Sequence, residues 1–305
     1  MDVIGCFNFL NESILLLSVV VDGEALLVAL DCYQPFPQTP MTVSQVMSYS
    51  SLCLQFPEAS QDATVSCISG IFSEPSWQTT EDGALFKETT SPMVVGITLR
   101  YTKYRIFPEN PLYYSFHLLI PSRVITSRLV ARFSGSVPWD QWCHEVRLFE
   151  GGDHFHDSCR VFHSRYLTTE NNVIHGSNFS DGSSDEENTT NLVFCDFNSI
   201  ASLQKDAAEG GADVVSEPTI WDDSDIWKEP FITAAPYRLV RTDLRIPRAW
   251  LYEDRVWITE DGIILRKTSY TADSDATDGY EYVYSAIVSV TCRLITSNRM
   301  EVYTI

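Results

Sequence analysis

A chain of 305 residues has room for one large β domain or two smaller ones, since domains of about 100–150 residues are commonest and all-β units often reach about 200–250. Its 44% hydrophobic and 12% aromatic residues can fill a core, which excludes disorder of the whole chain. The 21 Lys+Arg against 41 Asp+Glu, a formal charge of -20, oppose approach to phosphate backbones and anionic lipid, so neither nucleic acid nor a membrane is expected as a partner.

Ile14–Val21 is an apolar run of eight residues preceded by Glu12. A span of the bilayer takes about 20 residues, and a signal peptide opens on basic residues, so the run is neither anchor nor leader. A cytoplasmic or nuclear location is expected, with the sequons at Asn11, Asn178 and Asn188 carrying no sugar. Ala25–Leu30 follows across Asp22-Gly23-Glu24, and an Asp-Gly pair between apolar runs predicts a β-hairpin. Pro35, Pro37 and Pro40 then break the chain.

Further runs rich in β-branched and aromatic residues predict strands at Leu52–Phe56, Ala63–Phe72, Met93–Thr102, Tyr113–Ile120 and Leu129–Phe133, each bounded by Pro, Gly, Ser or Asp. Pro138 suits a first helical turn, and Trp139, Trp142, Val146 and Phe149 recur at three- and four-residue spacing, which predicts one short helix over 139–149. From Thr168 to Thr190 the composition turns to Asn, Ser, Gly, Asp and Glu, so a mobile acidic loop is expected over 168–191. Strand patterns resume at Leu192–Phe197, Thr219–Trp221, Phe231–Thr233, Tyr237–Arg241, Arg255–Thr259 and Gly262–Arg266, with Glu260-Asp261-Gly262 as a second hairpin signal. Tyr282–Ile305 is rich in Val, Ile and Thr. The expected architecture is all-β, a multi-sheet fold such as a propeller or a sandwich, with a domain over 1–268 and a C-terminal tail over 269–305.

The eight cysteines include no C-x-x-C pair, which suggests neither a zinc ribbon nor a disulfide framework; buried free thiols are expected. The densest set of ligand-type side chains is Asp153, His154, His156, Asp157 and Cys159, near Cys143, His144 and His163. His154 and His156 share one side of an extended chain and with Cys159 offer a metal three donors. No second pair completes a tetrahedral site, so a metal-binding protein or metal-dependent enzyme is the alternative reading. The carboxylates at Asp222, Asp223 and Asp225, at Glu253 and Asp254, and at Glu260 and Asp261 suit general acid–base work chemically but belong more naturally to solvated turns. No phosphate loop, nucleophile elbow or dinucleotide fingerprint is present. The reading is therefore non-enzymatic, with no cofactor.

Ser183 and Ser184 precede Asp185, Glu186 and Glu187, a context that an acidophilic kinase modifies. Seven tryptophans, Trp77, Trp139, Trp142, Trp221, Trp227, Trp250 and Trp257, are expected to fill the core for the most part, with one or two left for a binding groove. A carbohydrate-binding β domain that used such exposed Trp is a third reading.

Three segments stand in a recognisable succession: Phe116-His117-Leu118-Leu119-Ile120-Pro121, then Val137-Pro138-Trp139-Asp140-Gln141-Trp142, then Arg160-Val161-Phe162-His163-Ser164-Arg165. With Ser216-Glu217-Pro218-Thr219, Ala235-Pro236-Tyr237-Arg238 and Leu251-Tyr252-Glu253-Asp254-Arg255-Val256, the pattern resembles the C-terminal region of fungal F-box proteins over roughly residues 9–268. The resemblance implies a propeller-like interaction module that recognises a protein substrate for a cullin-RING ubiquitin ligase, with ligase components as further partners. The family's Leu- and Pro-rich F-box, which docks on the Skp adaptor, is not expected here, because the opening residues read as a strand. Residues 253–256 also carry Glu-Asp-Arg-Val where the family has Asp-Glu-Arg-Ile.

Overall fold

The computed structural model describes residues 3–35, 39–72, 77–78, 87–88, 94–103, 111–131, 136–151, 160–169, 189–197, 214–247, 256–258, 263–271, 282–294 and 300–304. Strand dominates them, as the all-β expectation requires. Four mainly antiparallel sheets of four or five strands follow one another along the chain, except that the last strand of the first sheet comes from within the second.

Sheet I joins β1 (Val3–Phe9), β2 (Ile14–Val21), β3 (Glu24–Asp31) and β4 (Ser50–Gln55), with β10 (Ser136–Val137) added parallel to β4. Its β2–β3 hairpin is in register from Ile14↔Asp31 to Val21↔Glu24 and closes on Asp22 and Gly23, both with positive φ. That is the left-handed pair a two-residue hairpin turn needs, and Asp and Gly adopt it more readily than other residues.

Sheet II orders β5 (Ala63–Phe72), β8 (Val94–Lys103), β9 (Leu112–Pro121) and β11 (Arg147–Glu150) as β11-β9-β8-β5. Sheet III orders β12 (Arg160–Phe162), β13 (Arg165–Thr169), β14 (Thr189–Asp196), β18 (Tyr237–Pro247) and β15 (Val214–Val215) as β12-β13-β14-β18-β15. Sheet IV is the meander β19 (Val256–Ile258), β20 (Ile263–Thr271), β21 (Tyr282–Leu294) and β22 (Met300–Thr304). Two ribbons complete the strands: β6 (Trp77–Gln78) with β7 (Lys87–Glu88), and β16 (Thr219–Trp221) with β17 (Phe231–Thr233).

Alternation along the strands decides how three of these sheets stack. Val95, Ile97, Leu99 and Tyr101 of β8, with Phe116, Leu118 and Ile120 of β9, face Leu16, Ala25, Leu27, Leu52 and Leu54 of sheet I in one core. The opposite side of sheet II sends Val94, Leu119 and Phe149 into a second core with Val161, Tyr166, Val193, Cys195, Tyr237 and Leu239 of sheet III. Sheet II is therefore the middle layer, which is why β8 and the second half of β9 are buried on both faces, polar Thr98, Thr102 and His117 included. Each fully buried Leu, Ile or Val there stabilises the fold by about 1.5–3 kcal/mol relative to exposure.

Two sequence expectations are corrected. The predicted helix over 139–149 is instead two 3-10 turns, Trp139–Gln141 and Cys143–Glu145, followed by β11. The apolar spacing there is real: Trp139, Trp142, Val146 and Phe149 are all buried. Val146, however, is extended at φ -123 and ψ 173, and Arg147 to Glu150 pair with Leu119 to Phe116. The stripe divides between two cores on opposite sides of sheet II, an arrangement that a helix with a single buried face cannot supply. Conversely, Leu129 and Val130, expected to open a strand, end the helix α2 (Ser122–Val130), whose Val124 and Ile125 sink into the first core. Burial of Val124 and Ile125 anchors the helix, and Leu129 and Val130 follow as its last turn although Val130 is 84% exposed.

The helix α1 (Val43–Ser48) was not expected, although its signature is present: Thr42 and Gln45 form a reciprocal capping box. Thr168, Thr169, Thr189 and Thr190, at the ends of the expected acidic loop, belong to β13 and β14, and 170–188 lies outside the described residues. No helix among the described residues is long and apolar enough to cross a membrane.

Candidate interaction surface

The ribbon β16–β17 projects from the place where the tryptophans converge. Its register, Thr219↔Thr233, Ile220↔Ile232 and Trp221↔Phe231, puts alternate pairs on opposite faces. Inward, Trp221 and Phe231 stack at 6.5 Å and Phe231 meets Trp139 and Trp227 edge-on at 5.3 and 5.1 Å. Trp227 contacts Tyr101 at 4.8 Å and Phe116 at 4.9 Å, and Trp139 packs on Trp142 at 4.7 Å. Tilted and edge-on pairs of this kind contribute about 0.5–1.5 kcal/mol each beyond area burial. Trp139, Trp142 and Trp227 are buried and Trp221 half-buried, so the core expectation describes this group; no side chain is described for Trp77, Trp250 or Trp257.

The loop inside the ribbon is fixed by its carboxylates. Asp223 Oδ1 accepts from the Asp225 amide at 2.9 Å, while the Asp223 carbonyl accepts from Ile226 and Trp227 at 3.1 and 2.9 Å. This tight turn drops Ile226 and Trp227 into the core. The same loop is sewn to the segment after β4: Ser60 donates its amide to Ile226 O at 2.8 Å and its hydroxyl to Asp225 O at 3.0 Å, and the Lys228 amide donates to Glu58 O at 3.1 Å.

From below, the ribbon is held by Arg147, whose side chain is 1% exposed. Its Nη1 donates to Glu217 O at 3.0 Å, Thr219 Oγ1 at 3.1 Å and Thr233 O at 3.1 Å, and its Nη2 donates to Glu217 O at 3.0 Å. The guanidinium carbon lies 5.0 Å from the centre of the Tyr237 ring. Among the described residues no carboxylate pairs with it, and Nε has no hydrogen-bond partner. Burial pushes the Arg147 pKa down, yet Arg stays charged, so backbone carbonyls and a ring face carry the compensation. Sequence reasoning missed this residue because its partners lie 70 to 86 positions downstream.

Outward, Ile220 and Ile232 sit opposite each other, 65% and 45% exposed. Carboxylates ring them in the chain: Glu217 precedes β16, Asp222, Asp223 and Asp225 follow it, and Glu229 precedes β17, all exposed. The neighbouring cations are engaged: Lys103 pairs with Asp225 at 2.7 Å, and Lys228 pairs with Glu58. The Asp225 hydrogen bond raises the Lys103 pKa and the Glu58 hydrogen bond raises that of Lys228. Among the described residues Glu217, Asp222, Asp223 and Glu229 make no ion pair. These acidic side chains, read from sequence as solvated turns, thus flank an exposed β-branched pair along the chain.

The other sequence candidates separate. His154, His156 and Cys159 lie outside the described residues, as do Asp153, Asp157, Ser183, Ser184, Glu253, Asp254, Glu260 and Asp261. Cys143 is buried, and burial raises its pKa, whereas His144 beside it is exposed. His163 sits in the β12–β13 turn at φ 55. Among the described residues no group of three His, Cys, Asp or Glu side chains is placed to hold a metal ion. His117 Nδ1 lies 2.6 Å from Tyr166 Oη, both buried between sheets II and III, where the pair serves packing. The chain matches no family model, no curated protein and no solved structure.

Proposed function

We propose that this chain is a non-enzymatic protein-interaction module of the kind that F-box receptors use to recognise substrates, with the β16–β17 ribbon as its contact surface. One observation carries the reading: the Ile220/Ile232 pair stands exposed on a ribbon whose other face is locked into an aromatic core and clamped by Arg147. Such a ribbon presents its outer side chains without first having to order them, so little conformational entropy is lost on binding. Unpaired carboxylates around an apolar centre give a polar rim and favour partners that carry Lys or Arg.

A propeller-like arrangement is part of the proposal. Four successive, mainly antiparallel sheets, three of them stacked face to face, are what propeller blades require. Of the segments that resemble fungal F-box proteins, those described fall at the end of β9, the 3-10 turns, the β12–β13 hairpin, the start of β16 and the start of β18, whereas 251–255 lies outside the described residues.

The test is affinity capture of the tagged chain from its own cells, with and without a proteasome inhibitor, beside an Ile220→Asp, Ile232→Asp variant of unchanged unfolding midpoint. A specific set of proteins lost from the variant is expected, and Skp and cullin captured with both chains would place the chain in a ligase. Identical captures from both chains would remove the ribbon as the contact surface.

A further inference from the structure

A second exposed apolar surface lies on sheet I, and a β-bulge creates it. Between Ile4↔Val19 and Phe7↔Leu17, β1 spends one residue more than β2. Ser18 fills the gap by accepting from the Cys6 amide at 2.8 Å and donating to Cys6 O at 3.3 Å. An extra residue in one strand shifts the alternation of side chains beyond it. Ile4, Phe7 and Phe9 consequently all pair with the residues Val19, Leu17 and Leu15, whose side chains face away from sheet II, while Cys6 turns inward.

That outer face is apolar at its centre: Leu17, Val19, Leu26, Val28, Leu30 and Cys53 are buried there. Val46 of α1, with Val43, Met47 and Tyr49, packs onto this cluster. Along β1 the covering stops, and Ile4, Phe7 and Phe9 are 43%, 67% and 50% exposed. Three large apolar side chains on one short strand exceed the scattered exposure that is normal for a protein surface.

Charge decides what fits there. The first 86 residues contain ten Asp and Glu and no Lys, Arg or His; the first basic side chain is Lys87. The turns at the two ends of the face carry Glu12 and Asp31 on one side and Asp22 and Glu24 on the other. A second copy of this chain would oppose one wholly acidic rim to another, and an anionic membrane would be repelled likewise. We infer that the exposed β1–β2 face of sheet I docks an amphipathic helix of another protein, one whose apolar stripe is flanked by Lys and Arg. A helix rather than a strand is indicated because α1 already covers the adjoining part of the face with a helical apolar side, and because the bulge interrupts the ladder along the β1 edge.

The probe is a fluorescein-labelled Leu/Lys helical peptide of about 18 residues, long enough for stable helix on a surface. Its Leu/Glu counterpart is the control, and both are titrated by anisotropy against the full chain. The Leu/Lys peptide is expected to bind, more weakly at about 300 mM than at about 50 mM salt because the rim charges are screened. The Leu/Glu peptide should not bind. Ile4→Ser with Phe7→Ser should weaken binding about tenfold, the loss of apolar area covered by the helix, whereas Val130→Ser, at an apolar side chain 84% exposed on α2, should leave it unchanged. Hydrogen exchange on the unaltered chain gives a reading independent of any variant, with slowed exchange over 3–21 expected on peptide binding. Equal binding by the Leu/Glu peptide, full affinity in the Ile4/Phe7 variant, or protection confined to other segments would each overturn the inference.

Discussion

Sheets I and II are built from similar apolar strands but end differently. Sheet II is covered on both sides, and its buried polar residues are tied across layers: His117 to Tyr166, and Arg147 to the carbonyls of Glu217 and Thr233. Sheet I is covered by sheet II on one side and incompletely by α1 on the other, so its apolar residues reach the surface along β1. Stability and contact are thus divided between the two sheets. A middle layer contributes its residues to the fold, whereas a layer left bare on part of one face still has area to bury against something else.

The largest effect is expected from Trp142→Ala. Trp142 is fully buried between the layers, and its Nε1 donates to Gln55 O at 3.1 Å, so the change should cost about 3–5 kcal/mol in urea unfolding. Arg147→Met should cost about 2–3 kcal/mol, because two carbonyls and a hydroxyl lose their buried donor. It should also speed hydrogen exchange over 214–233, the segment that the guanidinium clamps.

Alkaline pH probes the same cores. Burial raises the pKa of the Tyr101 and Tyr237 phenols above their ordinary 10.0 and that of the Cys195 thiol above 9.0. Above those ordinary values the unfolded chain releases protons that the folded chain keeps. Stability is therefore undiminished at lower pH and falls as pH rises, from near 9 for the thiol and near 10 for the phenols. The slope should be about 1.4 kcal/mol per pH unit for each group, measured as urea midpoints from pH 8 to 11, and Tyr101→Phe should flatten it.

Gly151→Ala should cost about 1–2 kcal/mol, since a Cβ would meet Ser115 Oγ at 2.8 Å and Ser115 Cβ and O at 3.0 Å. Ser115→Gly in the same chain should recover part of that loss. At the small end, Ile4→Ser with Phe7→Ser should move stability by less than about 0.5 kcal/mol per site, which would confirm that these side chains are surplus to the fold.

The parts of this architecture legible in the sequence are those set by short-range chemistry. Asp22-Gly23 announced its hairpin, and the β-branched runs at β5, β8, β9 and β14 fell close to their observed ends. The stretch 139–149 misled because residues that alternate between two cores can mimic a helical stripe, and only the pairing of β11 with β9 separates the cases. The candidate surfaces were harder to see. Ile220 and Ile232 look like any strand residues until Trp221 and Phe231 are known to occupy the inner face, and Phe7 and Phe9 point outward through a bulge whose one local signal is Gly5 inside the strand. The acidic turn at Asp222, Asp223 and Asp225 was visible throughout, but what it surrounds was not.

The placement of β10 bears on how the chain acquires its structure during synthesis. Sheet I gathers β1 to β4 from the first 55 residues and then waits for Ser136–Val137 to lay its fifth strand beside β4. The strands of sheet II that cover its inner face also come later in the chain. At about 5–20 residues per second, a nascent four-stranded meander stands for several seconds with its inner apolar face bare. Its completion is thus a late, long-range event, and a ribosome paused between β4 and β10 would hold the chain at the stage most open to chaperones.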